Sequence, residues 1–213
     1  MRAFTPSAAG FALAVAALAV SCPAVAGPVD LTTGKAVTTT GVFGQLSAQG
    51  QAYPWCADAV CPTAAASTIN DGVYLASGTA WQQGTLWWDS HNPLSVNNSI
   101  EIDFGGLFRV DFASIQGDNN DEYLIELRDA VGNWVSYAYA SICCTAGMFE
   151  RSGNVPAFDA TAARFSGRGG DGYYALSEVR LTGTALALPE PASMGLVTLA
   201  LGGALAVRRR RAR

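Results

Sequence analysis

Few side chains in this chain are suited to chemistry. His91 is the sole histidine, so a Ser-His-Asp or Cys-His arrangement would have to be built on it. No serine stands in a Gly-x-Ser-x-Gly elbow. Asp118 and Asp121 are a carboxylate pair of the type glycosidases use. That chemistry needs a cleft and divergent proton affinities, which a lone sandwich domain rarely builds. Catalysis is therefore not expected. The oxygen-rich run Asp118-Asn119-Asn120-Asp121-Glu122 lacks the spacing and closing glutamate of an EF-hand. It reads as a solvated turn with Asx hydrogen bonds. Gly167-Arg168-Gly169-Gly170-Asp171-Gly172 has no strand–loop–helix context for holding phosphate, and reads as a tight connection.

Aromatic platforms beside a few hydrogen-bonding groups are the alternative to catalysis, because such surfaces hold sugars. Of the five tryptophans, Trp81, Trp88 and Trp134 are assigned to the core, where each would bury a large apolar area. Trp55 and Trp87, near Asp89, His91 and Asn92, are the expected exposed cluster. Outside the first 26 residues there are four cysteines: Cys56, Cys61, Cys143 and Cys144. Four cysteines allow three pairings, and sequence alone does not choose among them. Neighbouring cysteines lie closer than ordinary bridges prefer, so Cys56 and Cys61 are each expected to pair with one of the adjacent pair. The spacing fits no common zinc pattern.

The elements that must carry these residues read as strands. Ser99 to Phe104 alternates polar and apolar, as a half-buried strand does. Phe108 to Phe112 continues after a turn at Gly105-Gly106. Further strands are predicted at Tyr123 to Arg128, Trp134 to Ala140, Ala163 to Gly167 and Leu176 to Thr182. Asp129 to Asn133 has hairpin-turn chemistry. Many short strands with Gly-rich turns predict an all-β chain with a single jelly-roll β-sandwich.

The two ends differ from this body. Residues 1–26 have the pattern of a signal peptide, with an apolar run from Gly10 to Val20 and Ala24-Val25-Ala26 before Gly27. Residues 188–213 contain Pro189-Glu190-Pro191, an apolar run from Ala192 to Val207, and an Arg-rich end at 208–213. As a helix that run spans about 24 Å at roughly 1.5 Å per residue, short against a bilayer core of roughly 30 Å. The arginines should stay on the cytoplasmic side. A signal helix and a transmembrane helix are thus expected to flank one domain at 27–187. The ends hold Arg2 and five tail arginines of the 13 Lys+Arg, and only Glu190 of the 17 Asp+Glu. The body therefore has 7 basic and 16 acidic residues, a net charge of −9. Such a surface disfavours nucleic acid and leaves carboxylates for a hard cation.

The tail resembles the PEP-CTERM sorting signal. That resemblance implies a substrate of exosortase, exported with signal peptidase and held transiently in the membrane by the C-terminal helix. The ordered set Ile69-Asn70-Asp71-Gly72, Trp87-Trp88, Ile100 to Gly106, Tyr123 to Asp129 with Gly132-Asn133-Trp134, Ala163-Arg164-Phe165 and Leu176 to Val179 resembles a discoidin-type, galactose-binding-like domain over 64–183. It implies a structural calcium held by Asp71, Glu178 and backbone carbonyls. The expected function is that of an exported surface or extracellular protein with a non-catalytic carbohydrate-binding module, whose partner is a matrix polysaccharide or glycan. The alternative expectation is a structural matrix component with no specific sugar ligand.

Overall fold

The computed structural model describes residues 27–47, 62–95, 97–144 and 146–186. Eight antiparallel strands run through them: β1 (Val29–Asp30), β2 (Val37–Thr40), β3 (Leu86–Asp89), β4 (Ser99–Asp118), β5 (Glu122–Arg128), β6 (Trp134–Ala140), β7 (Met148–Gly169) and β8 (Tyr173–Ala185). Short 3-10 turns at Ala66–Asn70 and Pro93–Ser95 are the helical pieces among the described residues. None of these residues forms a helix long and apolar enough to cross a membrane. The expected signal helix, the Pro189-Glu190-Pro191 motif and the tail helix lie outside the described residues.

The two long strands β4 and β7 create the sandwich by passing from one layer to the other. Ile100–Asp103 of β4 pair with Phe165–Ala162 of β7 and with β2. After a register shift, Phe108–Asp118 pair with Ala160–Met148 of β7 and with β8. One layer is therefore β2, the start of β4, the end of β7, β5 and β6. The other is β3 and β1 on β8, then the end of β4 and the start of β7. Gly105-Gly106, read as a turn between two strands, is instead the bend where one strand changes layers. Gly105 has φ 79°, a left-handed conformation that a side chain resists. Its amide donates to Asp103 Oδ1 at 2.8 Å.

Alternation decides the core. Ile100, Ile102 and Phe104 point inward from β4, Tyr123, Ile125 and Leu127 from β5, and Val179 and Leu181 from β8. The predicted strand Ala163 to Gly167 is only the end of β7. The first half of β7 escapes sequence reading because Ser-Gly-Asn-Val-Pro has no apolar alternation. It pairs with β4 alone, and Pro156 is tolerated on such an edge. β3 also falls outside the predicted strands. Its four residues are all buried, because both of its faces are covered. Consecutive strand residues face opposite sides, so Trp88 enters the main core while Trp87 enters a second cluster with Leu46, Met148 and Ala175.

Candidate functional site

Three connections meet at one end of the sandwich: the segment after β3, the β4–β5 turn and the β7–β8 turn. A buried hydroxyl fastens two of them. Tyr123 Oη accepts from the amides of Asp118 at 3.1 Å and Ala175 at 3.0 Å, and donates to the Ala175 carbonyl at 2.8 Å. That satisfies the hydroxyl completely, and burial raises its pKa well above the ordinary tyrosine value. The third connection is tied by the Ser90 amide, which donates to the Gly172 carbonyl at 2.8 Å. Gly172 has φ 89°, and a Cβ there would meet His91 Cε1 at 2.6 Å. Only glycine lets the two turns close against each other.

On this end, an aromatic shelf runs across the surface. The rings of Trp81 and Tyr173 are stacked at 6.0 Å, and the His91 ring lies 5.2 Å from Tyr173. The His91 side chain is 54% exposed, so the shelf has an open edge. Beside it, Asn120 Nδ2 donates to Asp171 Oδ2 at 2.7 Å, and both residues reach the surface. Aromatic faces next to amide and carboxylate groups form the chemistry that holds a sugar ring: CH groups on the ring face, hydroxyls on the polar groups.

The predicted cluster is rearranged. Trp87 is fully buried and packs edge-on against Trp81 at 5.3 Å, so its expected exposure is wrong. The reason is β3, which places adjacent tryptophans into two different cores. Asp89 is likewise buried and serves as a loop anchor: Oδ2 accepts from the Ser47 amide at 2.7 Å, and Oδ1 meets the His91 amide at 2.9 Å and Nδ1 at 2.7 Å. Burial pushes its carboxyl up, but these hydrogen bonds outweigh it and leave the pKa lowered. Asn92 is buried too, and caps a turn by accepting from the Leu94 amide at 3.0 Å. His91 alone of the described cluster reaches solvent. Trp55 lies outside the described residues. Tyr173 was missed, although Tyr173-Tyr174 opening a strand carries a signal: one of two adjacent aromatics must leave the main core. Trp81, assigned to the core, is half-buried and serves as the shelf's inner part, while Trp134 lies half-buried with Arg164 4.4 Å above its ring.

Asp118 and Asp121 are buried below this surface, with Gly170 packed directly on Asp121. Burial, and then the charges of Asp171 and Asp118, push the Asp121 carboxyl up to about 8.

The disulfide also differs from expectation. Cys143 is bonded to Cys144, with Cα atoms 3.8 Å apart, rather than either being bonded to Cys56 or Cys61. Cys144 adopts φ 69°, a left-handed conformation uncommon for a residue other than glycine. Cys56 and Cys61 lie outside the described residues.

At the positions expected to hold calcium, the Asp71-Gly72 turn faces β8. The Gly72 amide donates to Glu178 Oε2 at 3.2 Å, and Asp71 Oδ1 accepts from the Val73 amide at 2.8 Å. Glu178 is fully buried, and its Oε1 has no hydrogen-bond partner. Burial, opposed by the Gly72 amide and reinforced by the Asp71 charge, raises its carboxyl to about 7. An orphaned buried carboxylate oxygen beside a second carboxylate fits a hard cation. Among the described residues no three His, Cys, Asp or Glu side chains converge as a metal cage, so backbone carbonyls would have to complete the shell. Arg180 also serves this corner, its Nε 3.1 Å from Asp30 Oδ2.

No protein-family model matches the sequence, and no curated protein matches it. Several solved structures do. The module CpGH89CBM32-5 from Clostridium perfringens, solved with GalNAc-β-1,3-galactose, is 13% identical with a TM-score of 0.45, over 72% of this chain and 99% of that one. The family 32 CBM of C. perfringens NanJ, solved with galactose, is 13% identical at TM-score 0.45, over 73% of this chain and 98% of that one. A Streptococcus pneumoniae fucose binding module is 14% identical at TM-score 0.45, over 73% and 95%. The chain spans only 16% of the CpGH89 glycoside hydrolase structure and 28% of SpGH29.

Proposed function

We propose that this chain is an exported, non-catalytic glycan-binding module that takes a saccharide at the loop end of its sandwich. The observation that carries the reading is the open edge of the Trp81–Tyr173–His91 shelf beside the Asn120–Asp171 pair. The ring face of a sugar stacks on His91 at the open edge, which Tyr173 backs, and hydroxyls exchange hydrogen bonds with Asn120 and Asp171. The chain's own residues bind and orient; none of them is asked to move a proton in a reaction. Asp71 and Glu178 hold a structural calcium, which when bound neutralises two carboxylates and fixes the turn that covers β8. Export follows from the pattern of residues 1–26, and sorting by exosortase from Pro189-Glu190-Pro191 with its apolar and Arg-rich flanks.

The test is a panel of neutral and acidic matrix polysaccharides, assayed with and without calcium. Saturable binding is expected, with at least a tenfold loss of affinity in His91→Ala and Tyr173→Ala, since stacked aromatic contacts contribute about 1.4 kcal/mol or more. Binding unaffected by both substitutions would reject the shelf. Concentration-dependent self-association without any sugar binding would favour a structural matrix role instead.

A further inference from the structure

The open edge of the shelf has a chemical bias, set by which hydrogen-bonding atoms its fixed side chains leave over. The His91 ring packs against Gly172, where a Cβ would meet it. In the same turn Asp171 Oδ1 accepts from the Tyr173 amide at 3.0 Å, which loops the carboxylate across Gly172. His91 and Asp171 are thus brought to one small area of surface, and both are exposed.

The groups left over there are acceptors. His91 Nδ1 lies 2.7 Å from Oδ1 of Asp89, a buried aspartate whose carboxyl stays ionised. An ionised carboxylate can only accept, so Nδ1 carries the proton, and in the neutral ring Nε2 is an acceptor on the edge away from Asp89. Each oxygen of Asp171 has room for about two hydrogen bonds. Oδ1 takes the Tyr173 amide and Oδ2 takes Asn120 Nδ2, so each keeps an acceptor place. Asn120 has turned a donor onto Asp171, and its own Oδ1 is buried. The Ser90 hydroxyl, which can donate or accept, also stands beside Gly172.

Charge points the same way. Among the described residues no lysine or arginine forms an ion pair with Asp171. Arg168, three positions earlier, turns to the Tyr139 hydroxyl on β6 instead. Arg151 donates to the backbone carbonyls of Asp118, Asp121 and Ser141. Lys35 stands beside Gly105, at the bend end of the sandwich.

We propose that the shelf selects a hexosamine unit with a free ammonium group, glucosamine being the simplest, a choice that rests on the shelf being the glycan site. The sugar ring lies on His91, its ammonium donates to Asp171, and a hydroxyl donates to His91 Nε2. An ammonium has three donors and no acceptor, which matches what the protein leaves over. A carboxylated sugar would be repelled by Asp171. An acetamido group would remove the charge and bring a carbonyl acceptor to a place where the protein offers acceptors.

The test compares β-1,4-linked tetramers of glucosamine, N-acetylglucosamine and glucose, titrated into the full chain at neutral pH and low salt. The glucosamine tetramer should bind about fivefold tighter than the other two, the upper end for an exposed ion pair, and the gap should close as salt is raised. Asp171→Asn, with cooperative unfolding confirming that it is folded, should bring the glucosamine tetramer down to the others. Asp159→Asn removes a carboxylate at a distant ion pair and should keep the preference. The proposal is overturned if the three tetramers bind alike, if the acetylated or glucose tetramer binds tighter, or if none binds at millimolar concentration. It is also overturned if Asp171→Asn keeps the preference, or if Asp159→Asn abolishes it, since general attraction to an acidic body would then be the cause. Loss of discrimination with binding still weakened by His91→Ala rejects the ammonium alone, whereas binding indifferent to His91→Ala rejects the shelf itself.

Discussion

Trp87 and His91 lie four positions apart, and their fates are opposite. The tryptophan, which sequence reading puts on a sugar surface, is completely buried between Met148 and Ala175 and the loop that carries Trp81. Its indole N–H donates to the Pro62 carbonyl at 3.2 Å, so even its polar edge is consumed inside the protein. Trp87→Ala should therefore act on stability: a loss of about 3–5 kcal/mol is expected from the cavity and lost burial, read as a lowered urea midpoint. His91, by contrast, keeps an exposed ring held by Asp89. Burial is a property of position in the fold, and residue type alone did not reveal it.

At the scale of elements, the paths of β4 and β7 organise everything else. They bring their bends to one end of the sandwich and the three connecting turns to the other. This requires β4 and β8 to run close together at Gly183, where a Cβ would run into the Arg109 carbonyl oxygen and lie 3.1 Å from Leu31 Cδ1. The blocking atom is backbone and cannot swing aside. Gly183→Ala should cost about 1–3 kcal/mol as overpacking, measured as a fall in the thermal midpoint, and the strands on either side must separate for it to fit. Ser99 to Phe104 and Tyr123 to Arg128 were legible as strands because one face is core and the other solvent. β3 and the first half of β7 were not. One is covered on both faces, and the other is an edge whose small and polar residues do not alternate.

At the scale of the whole molecule, the excess of acidic groups is handled in two ways. Surface carboxylates such as Asp103 and Asp159 are paired with arginines and have lowered pKa values: the Gly105 amide does most for Asp103, and the Arg109 hydrogen bond for Asp159. Buried Asp121 instead retains its proton, up to about 8. An unfolded aspartate loses its proton near 4, so between about pH 4 and 8 the folded chain binds more protons than the unfolded chain. Stability then falls as pH rises through that window. The groups facing Asp121 are Asp118, whose carboxyl is also raised by burial, together with Asp171 and Arg151. Asp121→Asn, which stays neutral, should flatten the decline. Urea midpoints at pH 5 and pH 8 measure it, and an unchanged slope in the variant would assign the effect to other groups.

The sequence by itself determined the β character of the body, its acidic balance, most of the strands that alternate, and Trp88 as a core residue. These follow from local period and composition, which need no knowledge of distant partners. Tertiary structure alone decided that Gly105-Gly106 bends one strand between layers, that Cys143 pairs with its neighbour, and that Trp87 and Asp89 are interior while Tyr173 joins His91 at the surface. Apart from the Cys143–Cys144 bridge, which joins sequence neighbours, each of these depends on which strands become neighbours, and that is set by long-range pairing rather than by any short run of residues.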